Sequence, residues 1–257
     1  MSDTELQNNS DKAKAKMKFS AVYADSSKSS VRKYRDLYYG DTSFWRVLWM
    51  ELIVTMTGGI QGALGLWIRS KLYPLLFAEC GRGVIFGKNI TIRHPDKIRI
   101  GDNVVLDDNC VIDAKGETNK GIVIGGNVFI GRNTIVYCKN GDMEIKDRVS
   151  ISPDCTIMSA NQLTICEGVM VGGYTYMLSG GEYDYSDKET GFYEKCSMPS
   201  KGDLVIGRNC WIGASVTVLD GASIGDNSVI GACSLVNKPI PQNCVAYGVP
   251  AKAVKSI

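Results

Sequence analysis

Residues 206–241 read IGRNCW, IGASVT, VLDGAS, IGDNSV, IGACSL, VNKPIP, and this cadence decides the fold. The first place of each unit is Ile or Val, and the second is Gly in four of the six. The fifth place is often small or apolar. A period of six does not map onto the 3.6 residues of a helical turn, so these units are not helical. Six residues are too few for a strand plus its hairpin turn, but they suit one short strand and one corner. Three units then close a triangular coil, and such coils stack through parallel ladders about 4.8 Å apart. The first place points inward as an aliphatic layer. The second is expected to be Gly because the corner calls for positive φ and close packing.

The same unit recurs upstream, as FGKNIT and IRHPDK from 86, IGDNVV, LDDNCV and IDAKGE from 100, and IGGNVF, IGRNTI and VYCKNG from 124. It continues with IKDRVS, ISPDCT and IMSANQ from 145, then ICEGVM, VGGYTY and MLSGGE from 165, making 20 units over residues 86–241. Coil starts at 165 and 206 lie 41 residues apart, so one long excursion leaves the solenoid at 179–202. Every other corner is expected to be tight. Long loops on repeat scaffolds commonly carry function.

The remaining composition bounds the chemistry. Of 257 residues, 44% are hydrophobic and 22% charged, enough for a sizeable core. Twenty-nine Lys/Arg against 27 Asp/Glu give a net charge of +2, which offers no electrostatic footprint for nucleic acid. A single histidine, His94, excludes every multi-histidine metal site, so no metal cofactor is expected. His94 sits in the first coil and reads as a turn residue before Pro95 or a contact for the N-terminal cap. Nine cysteines form no CxxC pair and are odd in number, which argues against zinc knuckles and a secreted disulfide scaffold. Cys110, Cys155 and Cys210 fall at the small fifth place, as reduced core thiols of a cytosolic protein.

Residues 1–30 read as a disordered polar tail with no secretory signal, and residues 31–80 as an apolar helical subdomain. Its most apolar stretch, FWRVLWMELIVTMTGGIQGALGLWIRSKLYPLLFA over 44–78, is split by Gly58-Gly59 and interrupted by Arg46 and Glu51. Neither half reaches the roughly 18 to 20 apolar residues that a transmembrane helix requires. Two readings stay open. One is a helical hairpin lying on the inner membrane face, anchored by Trp45, Trp49, Trp67 and Tyr73. The other is a helical cap over the open end of the solenoid.

With its ending IGACSLVNKPIPQNCVAYGVPAKAVK, the repeat resembles the hexapeptide-repeat acyltransferases, in particular the maltose/galactoside and colanic-acid O-acetyltransferase branch. The resemblance covers about residues 84–255, within a β-helix domain read as 84–257. It implies an all-β fold, a left-handed parallel β-helix of about seven coils with an N-terminal helical subdomain. It also implies a homotrimer, with acetyl-CoA or another acyl-CoA in the groove between neighbouring β-helices and the excursion loop over the site. Chemistry in such a family is direct transfer, a loop histidine taking a proton from the acceptor. Here that position holds Tyr183, or Glu182 after a one-residue shift, in SGGEYDYSD from 179.

Tyr183 and Glu182 are therefore the catalytic candidates. Glu182 becomes a useful base if burial raises its pKa, whereas Tyr183, with an ordinary pKa near 10, acts more readily as a hydrogen-bond donor. Carried over for the CoA arm are Ala214, Ala232 and Asn237, with Lys238 and Lys252 facing the phosphates and Trp211 lining the groove. Tyr185, Phe192 and Tyr193 beside loop carboxylates suit a sugar. The expected function is acyl-CoA-dependent O-acylation of a free or lipid-linked sugar or glycan intermediate, as in polysaccharide biosynthesis. The alternative, prompted by the missing histidine, is a catalytically inactive trimeric binding or assembly module.

Overall fold

A computed structural model describes residues 27–181, 186, 188, 189, 191 and 200–257. From Glu79 onward the chain winds as a three-sided parallel β-helix. The first face is built from strands 79–80, 98–100, 122–124, 142–145, 162–165, 204–206 and 223–224. The second carries 85–86, 105–106, 129–130, 150–151, 170–171, 211–212, 229–230 and 244–248. The third carries 91–93, 111–113, 135–138, 156–159, 176–179, 217–218 and 235–236. Seven coils are complete, and Cys244–Gly248 begins an eighth before the chain turns back antiparallel as Ala251–Ser256. The expected all-β parallel β-helix with an N-terminal helical subdomain is thus the observed architecture.

The hexad accounts for the interior. Its first place supplies stacked aliphatic layers, such as Ile100, Ile124, Ile145, Ile165, Ile206 and Ile224 on the first face, all buried. The fifth place is also inside. Cys110, Thr134, Cys155, Thr175, Cys210 and Ser228 are buried there, and their polar atoms hydrogen-bond to carbonyls, as Ser228 Oγ does to Pro241 O at 2.8 Å. Elsewhere the fifth place holds buried Val104, Val128, Val149, Val169, Val216 and Ile90, and burying a hydroxyl there is tolerable only with such a partner.

Of the two expected reasons for glycine at the second place, close packing holds and positive φ does not. Positive φ belongs to the fourth place, at Asn103, Asn109, Asn127, Asn133, Asn209 and Asn227 among others, with φ between 55° and 59°. Asn tolerates the left-handed region better than most residues. These asparagines also stack along the prism edges, Asn109 Nδ2 donating to Asn133 Oδ1 at 3.2 Å and Asn227 Nδ2 to Asn243 Oδ1 at 3.0 Å. The second-place glycines instead allow coils to approach. A Cβ on Gly131 would stand 2.6 Å from Pro153 N, and one on Gly225 2.4 Å from Gln242 N.

The corner expectation also needs a correction. Besides the long excursion, residues 114–121 form a second, smaller one between strands 111–113 and 122–124. It is latched by Lys97, whose Nζ donates to Gly116 O at 2.7 Å and Asn119 Oδ1 at 2.9 Å.

Among the described residues three helices precede the solenoid: α1 (Ser30–Tyr38), α2 (Phe44–Thr57) and α3 (Gly62–Leu72). Ser29 and Ser43 cap the first two by accepting the N–H groups of Arg32 and Arg46. The helices close the open end of the first coil. Arg69, 1% exposed, donates Nε to Phe86 O at 2.9 Å and Nη1 to Thr57 O and Ile60 O at 3.0 and 2.7 Å. Phe77 stacks on Phe86 at 5.8 Å, and Met50, Ile53, Tyr73 and Leu76 join the same core. Without this plug the first-coil side chain Phe86 would meet water.

Candidate active site

The excursion leaves from the edge between the third and first faces. Strand Tyr176–Ser179 ends with buried Ser179, whose Oγ donates to Gln162 O at 2.7 Å. Gly180 and Gly181 follow with φ of 76° and 99°, a path suited to residues without a Cβ. One coil higher on this edge, Asp220 joins the two ends of the excursion. Its Oδ1 accepts from Gly180 N at 2.5 Å and Ser200 Oγ at 2.9 Å, and its Oδ2 from Lys201 N at 2.6 Å. Asp220 is 2% exposed. Sequence reasoning passed over it; the available signal was a carboxylate at an edge of the coil that follows the insertion. Tyr183 and Glu182, with Tyr185, Phe192 and Tyr193, lie outside the described residues.

The cofactor candidates divide between two edges. Ala214 and Ala232 are exposed and stacked on the edge between the second and third faces, with Cys233 N donating to Ala214 O at 2.9 Å. Close stacking there depends on glycine: a Cβ on Gly213 would stand 2.6 Å from Ala232 N. Trp211, in the strand that leads to Ala214, is 59% exposed and in register with Met170 and Val229. Lys252 pairs with Tyr247 in the terminal hairpin, beside the same edge. Exposed Met170, Tyr174 and Tyr247, absent from the sequence-based set, extend this apolar wall. Asn237 and Lys238 do not join that group. They are exposed on the edge between the third and first faces, one coil beyond Asp220.

Other titratable groups have structural surroundings. His94 is buried, with Nδ1 3.2 Å from Asp113 Oδ1 and its backbone N–H donating to Tyr38 O at 2.8 Å, which makes it a cap contact. Lys115 is pushed down to about 8 by burial, with Arg93 and Lys139 adding repulsion against the pull of Asp113. Burial raises the thiol pKa of Cys80 to about 11 and of Cys110 to about 12, and also lifts Cys138, Cys155, Cys166 and Cys210. None of these six is a ready thiolate nucleophile at neutral pH. Among the described residues no three His, Cys, Asp or Glu side chains cluster as a metal site, and no helix is long and apolar enough to cross a membrane.

Residues 203–238 match the family described as bacterial transferase hexapeptide (six repeats). Over these residues the chain is similar to that family. Galactoside O-acetyltransferase of Escherichia coli K12 is 36% identical over 133 residues, 52% of this chain and 56% of that protein. The putative lipopolysaccharide biosynthesis O-acetyl transferase WbbJ of the same strain is 32% identical over 49% of this chain and 62% of its own length. The chain thus spans a little over half of these relatives. Its fold is shared with a point mutant of AntD, an N-acyltransferase from Bacillus cereus solved in complex with dTDP and coenzyme A. That match has a TM-score of 0.51 at 20% identity and covers 77% of this chain and 91% of the other.

Proposed function

We propose that this protein is an acyl-CoA-dependent O-acyltransferase acting on a sugar or glycan acceptor, with acetyl-CoA as the acyl donor. The observation that carries the reading is the joining of a long excursion, by Asp220, to a repeat whose sequence relatives are O-acetyltransferases. The acceptor hydroxyl oxygen attacks the thioester carbonyl carbon. The C–S bond breaks as the tetrahedral intermediate collapses, and the proton lost by the hydroxyl ends on the CoA sulfur. On this reading Glu182 or Tyr183 relays that proton. The raised thiols favour direct transfer over an acyl-enzyme on those six cysteines.

A homotrimer accounts for the division of candidates between two edges, because a groove between neighbouring copies takes one edge from each chain. The second face supports such an assembly, since Ile85, Phe129, Met170 and Trp211 are exposed along it, with half-buried Val105 and Ser150 on the rungs between them. In that groove Ala214 and Ala232 leave room for the pantetheine arm, while Lys238 and Lys252 meet phosphates as point charges. The eight described cysteines are free thiols, which suits a reducing cytoplasm.

Incubation with acetyl-CoA and a panel of sugar acceptors, monitored for free thiol, tests the reading; calorimetry with CoA alone gives the second arm. Thiol release that depends on acceptor supports the transferase, and no heat with CoA overturns it. CoA binding without turnover on any acceptor favours the inactive trimeric module, the reading prompted by the lack of a loop histidine.

A further inference from the structure

We propose that the outer face of the helical subdomain is a membrane-surface site, which docks the protein on an anionic leaflet without spanning it. The two long helices each have a committed inner side. Val47, Met50, Ile53 and Thr57 of α2, and Gly65 and Arg69 of α3, are buried toward the solenoid. The opposite side of α2 is apolar at helical spacing, through Phe44, Leu48, Leu52 and Met56, with Trp45 and Trp49 alongside. On α3 and the following turn, Leu64, Trp67 and Leu75 are exposed as well. Arg46 Nη2 donates to Leu76 O at 3.4 Å, which brings the start of α2 beside the end of α3. The two helices therefore form a hairpin whose inner side plugs the first coil and whose outer side faces away from it.

A cap needs only the inner side to be apolar. An aqueous surface would select polar residues on the outer one, yet Trp45 is 75% exposed and Trp67 62%. Phe44 and Leu48 line a groove shared with Val31 and Tyr34 of α1, and an exposed apolar surface of this kind marks an interaction site. Tryptophan is the side chain that favours the boundary between hydrocarbon and headgroups. The helices are too short to span: α2 has 14 residues, about 21 Å at the helical rise, against a hydrocarbon core of about 30 Å.

Charge selects the occupant. Residues 27–78 carry seven Lys/Arg against three Asp/Glu, a net of +4, whereas residues 79–257 carry eighteen against twenty, a net of −2. Arg32 and Lys71 are exposed on the subdomain itself. A second copy docked face to face through this hairpin would set like charge against like charge. An anionic leaflet complements both the positive field and the apolar face, and basic residues near such a surface contribute about 1 kcal/mol each. The excursion leaves four coils above the first, about 19 Å along the axis at the ladder spacing. On the transferase reading that height suits an acceptor carried on a lipid; the docking itself does not rest on that reading.

The test is co-sedimentation of the full chain with phosphatidylglycerol–phosphatidylcholine vesicles and with phosphatidylcholine vesicles alone. The expected result is pelleting with the anionic vesicles, weakened several-fold by high salt. The double variant Trp45→Glu with Trp67→Glu should lose at least about tenfold of that binding, with its melting temperature and CoA heat unchanged. Three results overturn the proposal: no pelleting with anionic vesicles, pelleting that the double variant retains, or a lipid-free self-association that the same substitutions abolish. Failure of acyl transfer leaves the vesicle result standing, so the two readings fail separately.

Discussion

Asp220 and Gly180 lie on neighbouring coils of one edge, and the carboxylate accepts the glycine N–H at 2.5 Å. Through Ser200 Oγ and Lys201 N the same buried side chain holds the returning end of the excursion. Replacing it by Ala strands those donors. Asp220→Ala should cost about 2–3 kcal/mol, given the strength of hydrogen bonds to a charged acceptor, and Asp220→Asn less. Proteolytic cutting within residues 182–199 should accelerate in the same order. Melting and cleavage rates equal to the parent in both variants would show that the excursion is held elsewhere.

The two special places of the hexad predict opposite tolerances. Gly131→Ala puts a methyl 2.6 Å from Pro153 N, a backbone atom that cannot move aside, and should cost about 1–3 kcal/mol. Asn103→Gly keeps the left-handed backbone and loses mainly the 3.3 Å amide bond to Asn127, so it should cost well under half as much. Denaturation midpoints of the two single variants decide the matter, and equal losses would contradict this division of roles.

Arg69 fastens the helical plug to the solenoid through three backbone carbonyls. Arg69→Met fills similar volume and leaves those carbonyls unpaired, which should cost about 2–4 kcal/mol. Hydrogen exchange should speed up at Asn89 N, which donates to Gly58 O across the same junction at 2.8 Å. Unchanged protection there would mean that apolar packing alone seats the cap.

Lys115 predicts a pH dependence. Its folded pKa of about 8 lies below the unfolded value of about 10.4, so between these the unfolded chain binds more protons. Stability should therefore rise with pH through that window, and the penalty of the charged amine is fully present below it. The most direct measurement is NMR of isotopically methylated lysines, where one resonance should titrate near 8 and disappear in Lys115→Gln. A full set of lysine resonances titrating near 10 would refute the assignment.

For the proposed chemistry, Glu182→Gln or Tyr183→Phe should lower kcat by about a hundredfold with KM little changed, the usual worth of a general acid or base. Tyr183→His discriminates further. A sharp gain means that the wild-type tyrosine is a poorer base than imidazole, and a loss of existing turnover means that the phenol has its own role. Steady-state thiol release on the best acceptor measures both. Full rates in both conservative variants would leave positioning alone as the source of catalysis.

The six-residue cadence by itself determined the three-sided parallel coil, the buried first and fifth places and the position of the excursion. Each follows from a local rule, because an aliphatic layer must repeat wherever a short strand repeats. The division of labour between the second and fourth places was not legible. Both are small or polar residues at a corner, and only the approach of the next coil separates a steric need for Gly131 from a dihedral need for Asn133. Asp220 was hidden for the same reason: its partners lie 40, 20 and 19 residues away and meet only when coils stack. Likewise the apolar stretch 44–78 is rich enough for a cap or a membrane face. Only the packed helices decided which side of each is inside, since burial against the first coil is a relation between segments and not a property of either one.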